Sequence, residues 1–318
     1  MIERTDPDPG SELDDELTHP VQDVIAPREK DLGGFTVRRV LPAVRHKLIG
    51  PFIFFDQMGP VTFSPGEGIN VRPHPHIGLA TVTYLFDGEF RHQDSLGTDQ
   101  MIYPGAVNWM IAGRGITHSE RTSDETRAQG HHAFGIQTWV ALPKAHEQMA
   151  PAFEHHPRSS LPLIKEEGVK IRVILGHAFD QTAPVQVFSK MFYVDVRLEA
   201  GKSVEVPIEY EERAAYVVEG SVSIDGQAYD AGRMLVLRVD THAVLTAGEQ
   251  GARLMLAGGE PIDGPRFISW NFVASSQELI EQAHRDWRAA DWANGPFKLP
   301  PGDQNEYIPL PDPAPSVQ

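Results

Sequence analysis

The side chains best suited to hold a metal ion lie in two short motifs. His74 and His76 are two residues apart in R-P-H-P-H, and His118 and Glu120 are two apart in G-I-T-H-S-E. Side chains on a β-strand alternate between its two faces, so the members of each pair point the same way if both segments are strands. If these strands are neighbours, three imidazoles and one carboxylate converge on one point. That arrangement predicts a metal site.

Local features favour ligands over the ordinary alternative of two surface or core histidines. Pro73 and Pro75 remove backbone donors on either side of the first histidine, which is typical of a strand edge or beginning. Gly113 and Gly115 allow the tight backbone that the second motif needs. Four convergent groups of this kind are also costly to bury without an ion.

The composition is that of a globular protein and excludes several kinds of site. The 318 residues suffice for two domains, and 41% of them are hydrophobic and 23% charged. There is no cysteine, which excludes disulfides, thiolate zinc sites, iron–sulfur clusters and cysteine nucleophiles. The net charge of −16 opposes direct nucleic-acid binding. Without a signal-peptide pattern or an apolar run of membrane-spanning length, we expect a cytoplasmic protein that does not enter a membrane.

The elements that must position the two motifs are predicted to be β-strands, because apolar residues alternate with polar ones or form short runs between turn residues. The strand predictions cover residues 35–42, 50–60, 81–86, 132–142, 169–175, 191–198, 203–208, 214–224 and 233–239. Asp225 and Gly226 predict a tight hairpin turn. One helix is strongly indicated, with a capping box at Ser275 and Glu278. Its predicted apolar face contains Leu279, Ile280, Ala283 and Trp287.

These signals divide the chain into four parts and predict an all-β protein of two similar units. Residues 1–31 contain ten acidic and three basic side chains and are interpreted as a flexible acidic arm. The first domain is predicted over 32–160 and the second over 161–274. A C-terminal helix and extended tail occupy 275–318.

The motifs resemble those of the pirin family, which are bicupin proteins with two jelly-roll barrels face to face. The resemblance extends from Gly33 to Pro311 and includes G-P-F-I-F-F-D, H-P-H, M-I-A-G-R-G-I-T-H-S-E and F-G-I-Q-T-W-V-A-L-P. It implies that the N-terminal barrel holds one divalent metal ion per chain. Fe(II) is the first choice, and Mn, Ni, Cu and Zn suit the same ligands. The implied ligands are His74, His76, His118 and Glu120.

Several further positions bear on the ligand set and on the neighbours of that site. Many cupins carry a glutamate where this chain has Ala80, which leaves Glu120 as the carboxylate ligand. The second barrel has no equivalent motif, so we expect it to serve in packing, as a lid or in partner binding. His92 is interpreted as a hairpin residue bonded to Asp94 or Ser95; the alternative is a residue that contacts a metal ligand or lines the cavity. Four further histidines occur as adjacent pairs that diverge on a strand and are not expected to be ligands; they are His131, His132, His155 and His156.

The resemblance implies two alternative functions. The first is a quercetin 2,3-dioxygenase-like enzyme that binds a flavonol and O₂, uses Glu120 as general base and releases carbon monoxide. We expect an apolar cavity at this site. The candidates for its lining are Phe52, Phe54, Met110 and Trp139. The second is an iron-dependent, redox-sensing binding protein that regulates a transcription factor or a metabolic enzyme. A monomer is expected in either case.

Overall fold

Strands dominate both halves of the computed structural model, which describes residues 19–31 and 35–315. The first twelve strands are β1 (Val21–Ile25), β2 (Arg28–Asp31), β3 (Thr36–Leu41), β4 (Phe52–Phe63), β5 (Asn70–His76), β6 (Leu79–Asp87), β7 (Phe90–Asp94), β8 (Asp99–Ile102), β9 (Val107–Ile111), β10 (Ile116–Arg121), β11 (His131–Ala141) and β12 (Ala152–His156). Strands β2 to β12 build the first barrel from two sheets. The larger sheet has the order β12-β9-β6-β11-β4-β3-β2, and the smaller has the order β5-β10-β7-β8.

The second barrel is built from one large sheet whose long strands bend at bulges. Its own strands are β13 (Leu163–Glu166), β14 (Val169–Ala178), β15 (Gln181–Thr182), β16 (Met191–Leu198), β17 (Ser203–Glu205), β18 (Glu212–Ile224), β19 (Gln227–Asp230), β20 (Met234–Leu237) and β21 (Val244–Gly259). The main path is β1-β20-β18-β21-β16-β14-β13, with three short strands paired beside it. The predicted hairpin turn is confirmed, because Ile224 pairs with Gln227 across it.

The N-terminal segment joins the two barrels. β1 pairs with β20 of the second barrel, and β2 pairs with β3 of the first. The prediction of a flexible arm over residues 1–31 is therefore wrong for residues 19–31; residues 1–18 lie outside the described part. The acidic composition concealed a short alternating strand, V-Q-D-V-I, whose Ile25 is 8% exposed in the shared core. Its partner strand lies more than 200 residues away, so no local pattern could reveal the pairing.

An apolar core fills the space between the barrels. Phe55 of the first barrel makes edge contacts with Tyr193 and Tyr216 of the second. The Tyr216 hydroxyl donates to Gln57 Oε1 at 2.7 Å, so a hydrogen bond also crosses this interface. The two barrels thus share one packed interface and cannot separate without exposing buried aromatic surface.

Two α-helices and one short 3₁₀-helix occur in the described residues. They are α1 (Asp124–Gln129), the 3₁₀-helix Arg158–Ser160 and α2 (Gln277–Ala289). The predicted helix is present and buries Ile280, Ala283 and Trp287, but its N-cap is Ser276 rather than Ser275. Ser275 is occupied elsewhere, since its backbone N–H and its hydroxyl both bind the Glu147 carboxylate. No helix among the described residues combines the length and apolar character needed to cross a membrane.

A C-terminal hairpin crosses back to the first barrel. It consists of β22 (Phe267–Ser269) and β23 (Phe272–Ala274), and it follows the last strand of the second barrel. Ile77 forms a parallel bridge with Phe272. Gly78 makes this approach possible: its φ is +67°, and a Cβ there would lie 2.0 Å from the Val273 carbonyl oxygen. The hairpin, assigned by sequence to the second domain, therefore packs against the strand that carries the first histidine motif.

Candidate metal centre and its cavity

The two sequence motifs lie on neighbouring strands. β10 pairs antiparallel with β5, and His118 lies directly opposite His74. A register shift follows, so that Glu120 lies opposite Val71. β5 is an edge strand of its sheet, as its two prolines predict. The strand pairing that the metal-site prediction requires is therefore present.

Three buried imidazoles converge inside the first barrel. The ring nitrogens of His74, His76 and His118 that could bind an ion all lie within 4.8 Å of one another. His76 Nε2 and His118 Nε2 are 3.1 Å apart. The three residues are 7%, 1% and 1% exposed, respectively. Clusters of imidazole nitrogens at this spacing are typical of sites for divalent transition metals.

Backbone carbonyls fix the tautomers of two of these rings. His74 Nδ1–H donates to the Arg72 carbonyl at 2.9 Å, and His76 Nδ1–H donates to the Asn271 carbonyl at 3.0 Å. A neutral imidazole that donates from Nδ1 has a free lone pair on Nε2. Such outer hydrogen bonds orient histidine ligands and increase their basicity.

A relay of two further side chains orients the third ring. His92 Nε2–H donates to Asp94 Oδ2 at 3.1 Å, which leaves His92 Nδ1 as an acceptor. That nitrogen lies 3.4 Å from His118 Nδ1, so His118 donates from Nδ1 and keeps its own Nε2 lone pair free. The predicted bond between His92 and Asp94 is confirmed. The structure also gives His92 the contact with His118 that the alternative interpretation required.

Burial keeps the three rings uncharged. Desolvation lowers the pKa of His74 to about 4 and lowers the pKa values of His76 and His118 well below the usual value. Neutral imidazoles with their Nε2 lone pairs directed at one another would repel, and the described residues place no donor among them. A divalent cation relieves that conflict, so the donor set fits a metal ion.

Glu120 is buried nearby but lies outside the group of three. Its Oε1 accepts a hydrogen bond from Gln137 Nε2, and its Oε2 has no donor among the described residues. Desolvation raises the pKa of Glu120 to about 7. The carboxyl group therefore takes up or gives up a proton near neutrality.

A cavity of about 370 Å³ opens beside these groups and is bordered by both His74 and Glu120. Phe54 and Trp139 form a stacked pair in its wall, with ring centroids 4.0 Å apart. The Arg39 guanidinium lies 4.3 Å from the Phe54 centroid. Of the four predicted lining residues, two lie in the wall; the other two, Phe52 and Met110, are packed in the core.

Some contributors to the site carried no usable sequence signal. The Asn271 carbonyl reaches His76 from 195 residues away, and a backbone atom has no residue-type signature. Trp270, from the same hairpin, borders the cavity. His92 and Asp94 did carry a signal, because their H-x-D spacing repeats the same-face pattern of the two motifs. The four histidines that occur as adjacent pairs and that the sequence predicts not to be ligands are not in the cluster; they are His131, His132, His155 and His156.

The two barrels, the C-terminal hairpin and the three-histidine group define a two-domain cupin with a metal-binding site in its N-terminal half. Residues 34–140 match the family model named Pirin, and residues 193–293 match the model named Pirin C-terminal cupin domain. A Pirin-like protein of Caulobacter vibrioides is 49% identical over 288 residues, which cover 90% of this chain and 97% of that protein. The chain therefore belongs to the pirin family.

Solved structures agree with this assignment. The crystal structure of quercetin 2,3-dioxygenase from Acinetobacter baumannii superposes with a TM-score of 0.83 at 33% identity, covering 91% of this chain and 94% of that one. The Escherichia coli pirin YhhW in complex with nickel(II) superposes with a TM-score of 0.58 at 19% identity, covering 76% and 99%. The second likeness shows a common fold.

Proposed function

We propose that this protein is a metal-dependent dioxygenase that opens the ring of a flavonol-type substrate such as quercetin, with Glu120 as general base. The observation that carries the proposal is the position of a carboxyl group of raised pKa beside three neutral imidazoles in an apolar, aromatic-walled cavity. The 33% identity to a quercetin 2,3-dioxygenase supports the choice of substrate class.

The proposed metal ligands are His74, His76, His118 and Glu120. When bound, a divalent metal, with Fe(II) our first choice, supplies Lewis acidity toward the substrate hydroxyl and a redox-active centre for the reaction with O₂. In this proposal the Glu120 carboxylate, whose Oε1 accepts from Gln137, completes the ligand set. A carboxylate that moves between a cation and a substrate proton can serve both as ligand and as base.

The remaining steps are assigned to the protein side chains. The stacked Phe54 and Trp139 rings offer a flat wall for an aromatic substrate, and apolar neighbours exclude water. Glu120 Oε2 is the oxygen available to take the proton of the substrate's 3-hydroxyl. A base with a pKa of about 7 is matched to proton transfer near neutral pH. Loss of that proton creates the electron-rich enolate that O₂ oxidises, and the ring opens with release of carbon monoxide.

The test is aerobic turnover of quercetin by metal-loaded protein, followed by bleaching of the long-wavelength flavonol absorption and by carbon monoxide release. We expect turnover with the wild type and none with His118→Ala. The matched control is His155→Ala, a half-buried histidine outside the cluster, which should retain full activity. Glu120→Gln should bind quercetin but turn it over slowly. Fully loaded wild-type protein that consumes no flavonol would refute the proposal and favour the regulatory alternative.

A further inference from the structure

A row of basic side chains crosses the sheet of the second barrel. Antiparallel pairing places Lys165 opposite Lys170, Lys170 opposite Arg197 and Arg197 opposite Arg253. Directly opposed residues project from the same face of a sheet, and like charges in such positions destabilise it. The row crosses β13, β14, β16 and β21, and its last member, Arg253, has Glu219 of β18 opposite it on the other side. Lys165, Lys170 and Arg197 have no acid directly opposite and call for a compensating negative charge.

The row lies in a cleft between the two barrels. The cleft has a volume of about 220 Å³ and is separate from the metal-site cavity, with which it shares no lining residue. The first barrel contributes Tyr84, Phe86 and the turn at Pro104 and Gly105. Two further arginines complete the basic lining. The six cationic residues are Arg158, Lys165, Lys170, Arg172, Arg197 and Arg253, and Asp195 is the one acidic lining residue in the part of the chain that the structure describes.

Asp195 is already committed to one of these cations. Arg253 donates to both of its carboxylate oxygens at 2.9 and 2.6 Å, and the Tyr84 hydroxyl donates to Oδ2 at 2.9 Å. Within residues 19–31 and 35–315, the other five cations form no ion pair with a carboxylate. The cleft thus has excess positive charge, although the chain as a whole carries −16.

Arg172 is the least accessible of these unpaired cations. It is 7% exposed, and its Nη1 donates to the Arg158 carbonyl at 2.7 Å. Desolvation lowers the pKa of Arg172; Arg158 and Arg197 act in the same direction, and Tyr84 and Asp195 act in the opposite one. Asp195 lies directly opposite Arg172 in the sheet but accepts from Arg253 at both carboxylate oxygens, so it compensates the Arg172 charge only in part. Burial of an incompletely compensated guanidinium is costly, and an anion in the cleft would offset that cost.

We propose that this cleft is a binding site for a small polyanion that carries at least two phosphate or carboxylate groups. Several unpaired guanidinium and ammonium groups in one cleft match such a ligand, because guanidinium forks bind oxyanions in a bidentate manner. The small volume and the enclosing Phe86 and Leu163 select a compact molecule over a polymer. The site bridges both barrels, so a bound polyanion holds them together.

Calorimetric titration of the metal-loaded, full-length protein tests the proposal, with pyrophosphate, citrate and inorganic phosphate as separate probes. We expect saturable binding of pyrophosphate or citrate and weaker binding of phosphate; their order distinguishes phosphate from carboxylate recognition. The double variant Lys170→Gln/Arg197→Gln changes two exposed side chains and should weaken binding by about tenfold or more. The matched control, Arg233→Gln, changes an exposed arginine of the same barrel outside the cleft and should bind as the wild type does.

Thermal stability gives an independent readout. The double variant without ligand should melt at a higher temperature than the wild type, because it loses the repulsion between opposed cations. Pyrophosphate should raise the melting temperature of the wild type more than sodium chloride of equal ionic strength. An equal rise with chloride, or unchanged binding by the double variant, would overturn the proposal. Unchanged binding by the double variant would mean that the anion binds elsewhere, such as at the metal.

Discussion

The interiors of the two barrels differ although their frameworks are alike. Inward positions of the first barrel carry histidines and a glutamate beside an open cavity. The corresponding space in the second barrel is filled by hydrocarbon, with Phe192, Val217 and Leu254 all fully buried. Strand pairing supplies the frame in both cases, and the inward side chains decide whether its centre is a packed core or a reactive site.

The largest expected effect is the loss of metal affinity when one ligand is removed from the first barrel, compared with the loss of stability when the core of the second barrel is truncated. His118→Ala should weaken metal binding by more than about 100-fold, because loss of even an outer contact to a ligand commonly costs 10–100-fold. Leu254→Ala in the second barrel should lower the free energy of unfolding by about 2–5 kcal/mol and leave metal binding unchanged. Metal analysis after dialysis and urea denaturation measure the two effects. Full metal retention by His118→Ala would contradict the assignment.

The metal-free first barrel should be acid-sensitive, and the origin lies in its histidines. Their folded pKa values are lowered, so below pH 6.5 the unfolded chain takes up three protons that the folded chain does not. Glu120, with a folded pKa of about 7, binds one proton in the folded chain that the unfolded chain does not bind in this pH range, so it has the opposite effect on stability. The net difference of about two protons predicts that the free energy of unfolding falls by roughly 3 kcal/mol as the pH falls from 6 to 5.

Urea denaturation of chelator-treated protein at several pH values measures this slope. His76→Phe should reduce it, since one of the three neutral histidines is then absent. Substitution of the exposed His177, a residue of the second barrel, by alanine should leave the slope unchanged. A slope that does not respond to His76→Phe would place the acid sensitivity elsewhere.

Glu120 should reduce the stability of the metal-free protein at high pH. Its raised pKa means that ionisation in the folded state is unfavourable, so the cost is present above pH 7 and vanishes below the unfolded value of 4.5. Glu120→Gln should therefore raise the free energy of unfolding by at most about 3 kcal/mol at pH 8 and by little at pH 4.5. Equal effects at both pH values would show that packing, rather than ionisation, is responsible.

The smallest expected effect concerns the outer relay. Asp94→Asn should weaken metal binding by about tenfold, because the His92 tautomer that orients His118 is then no longer enforced. Competition with a chromogenic chelator measures the affinity. Asp99→Asn, an exposed acid on β8, is the matched control and should leave the affinity unaltered.

The sequence could predict those parts of the protein in which short-range periodicity carries the information. The alternation of apolar and polar residues located most strands. The two-residue spacing of the side chains in H-P-H and H-S-E identified the three histidines that the structure brings together. It could not show that β1 belongs to the second barrel, because its partner β20 is far away along the chain. Nor could it identify the Asn271 carbonyl, because backbone contacts depend on tertiary structure and not on residue type.

The contact from Asn271 has a consequence for the order in which the protein matures. The ribosome completes every proposed metal ligand before it has made two-fifths of the protein, but the carbonyl that orients His76 emerges only near the end. A nascent chain thus has the ligands without the final orientation of one of them. Metal capture should be a late event in biogenesis, and proteolytic loss of the C-terminal segment should release the ion from an otherwise intact barrel.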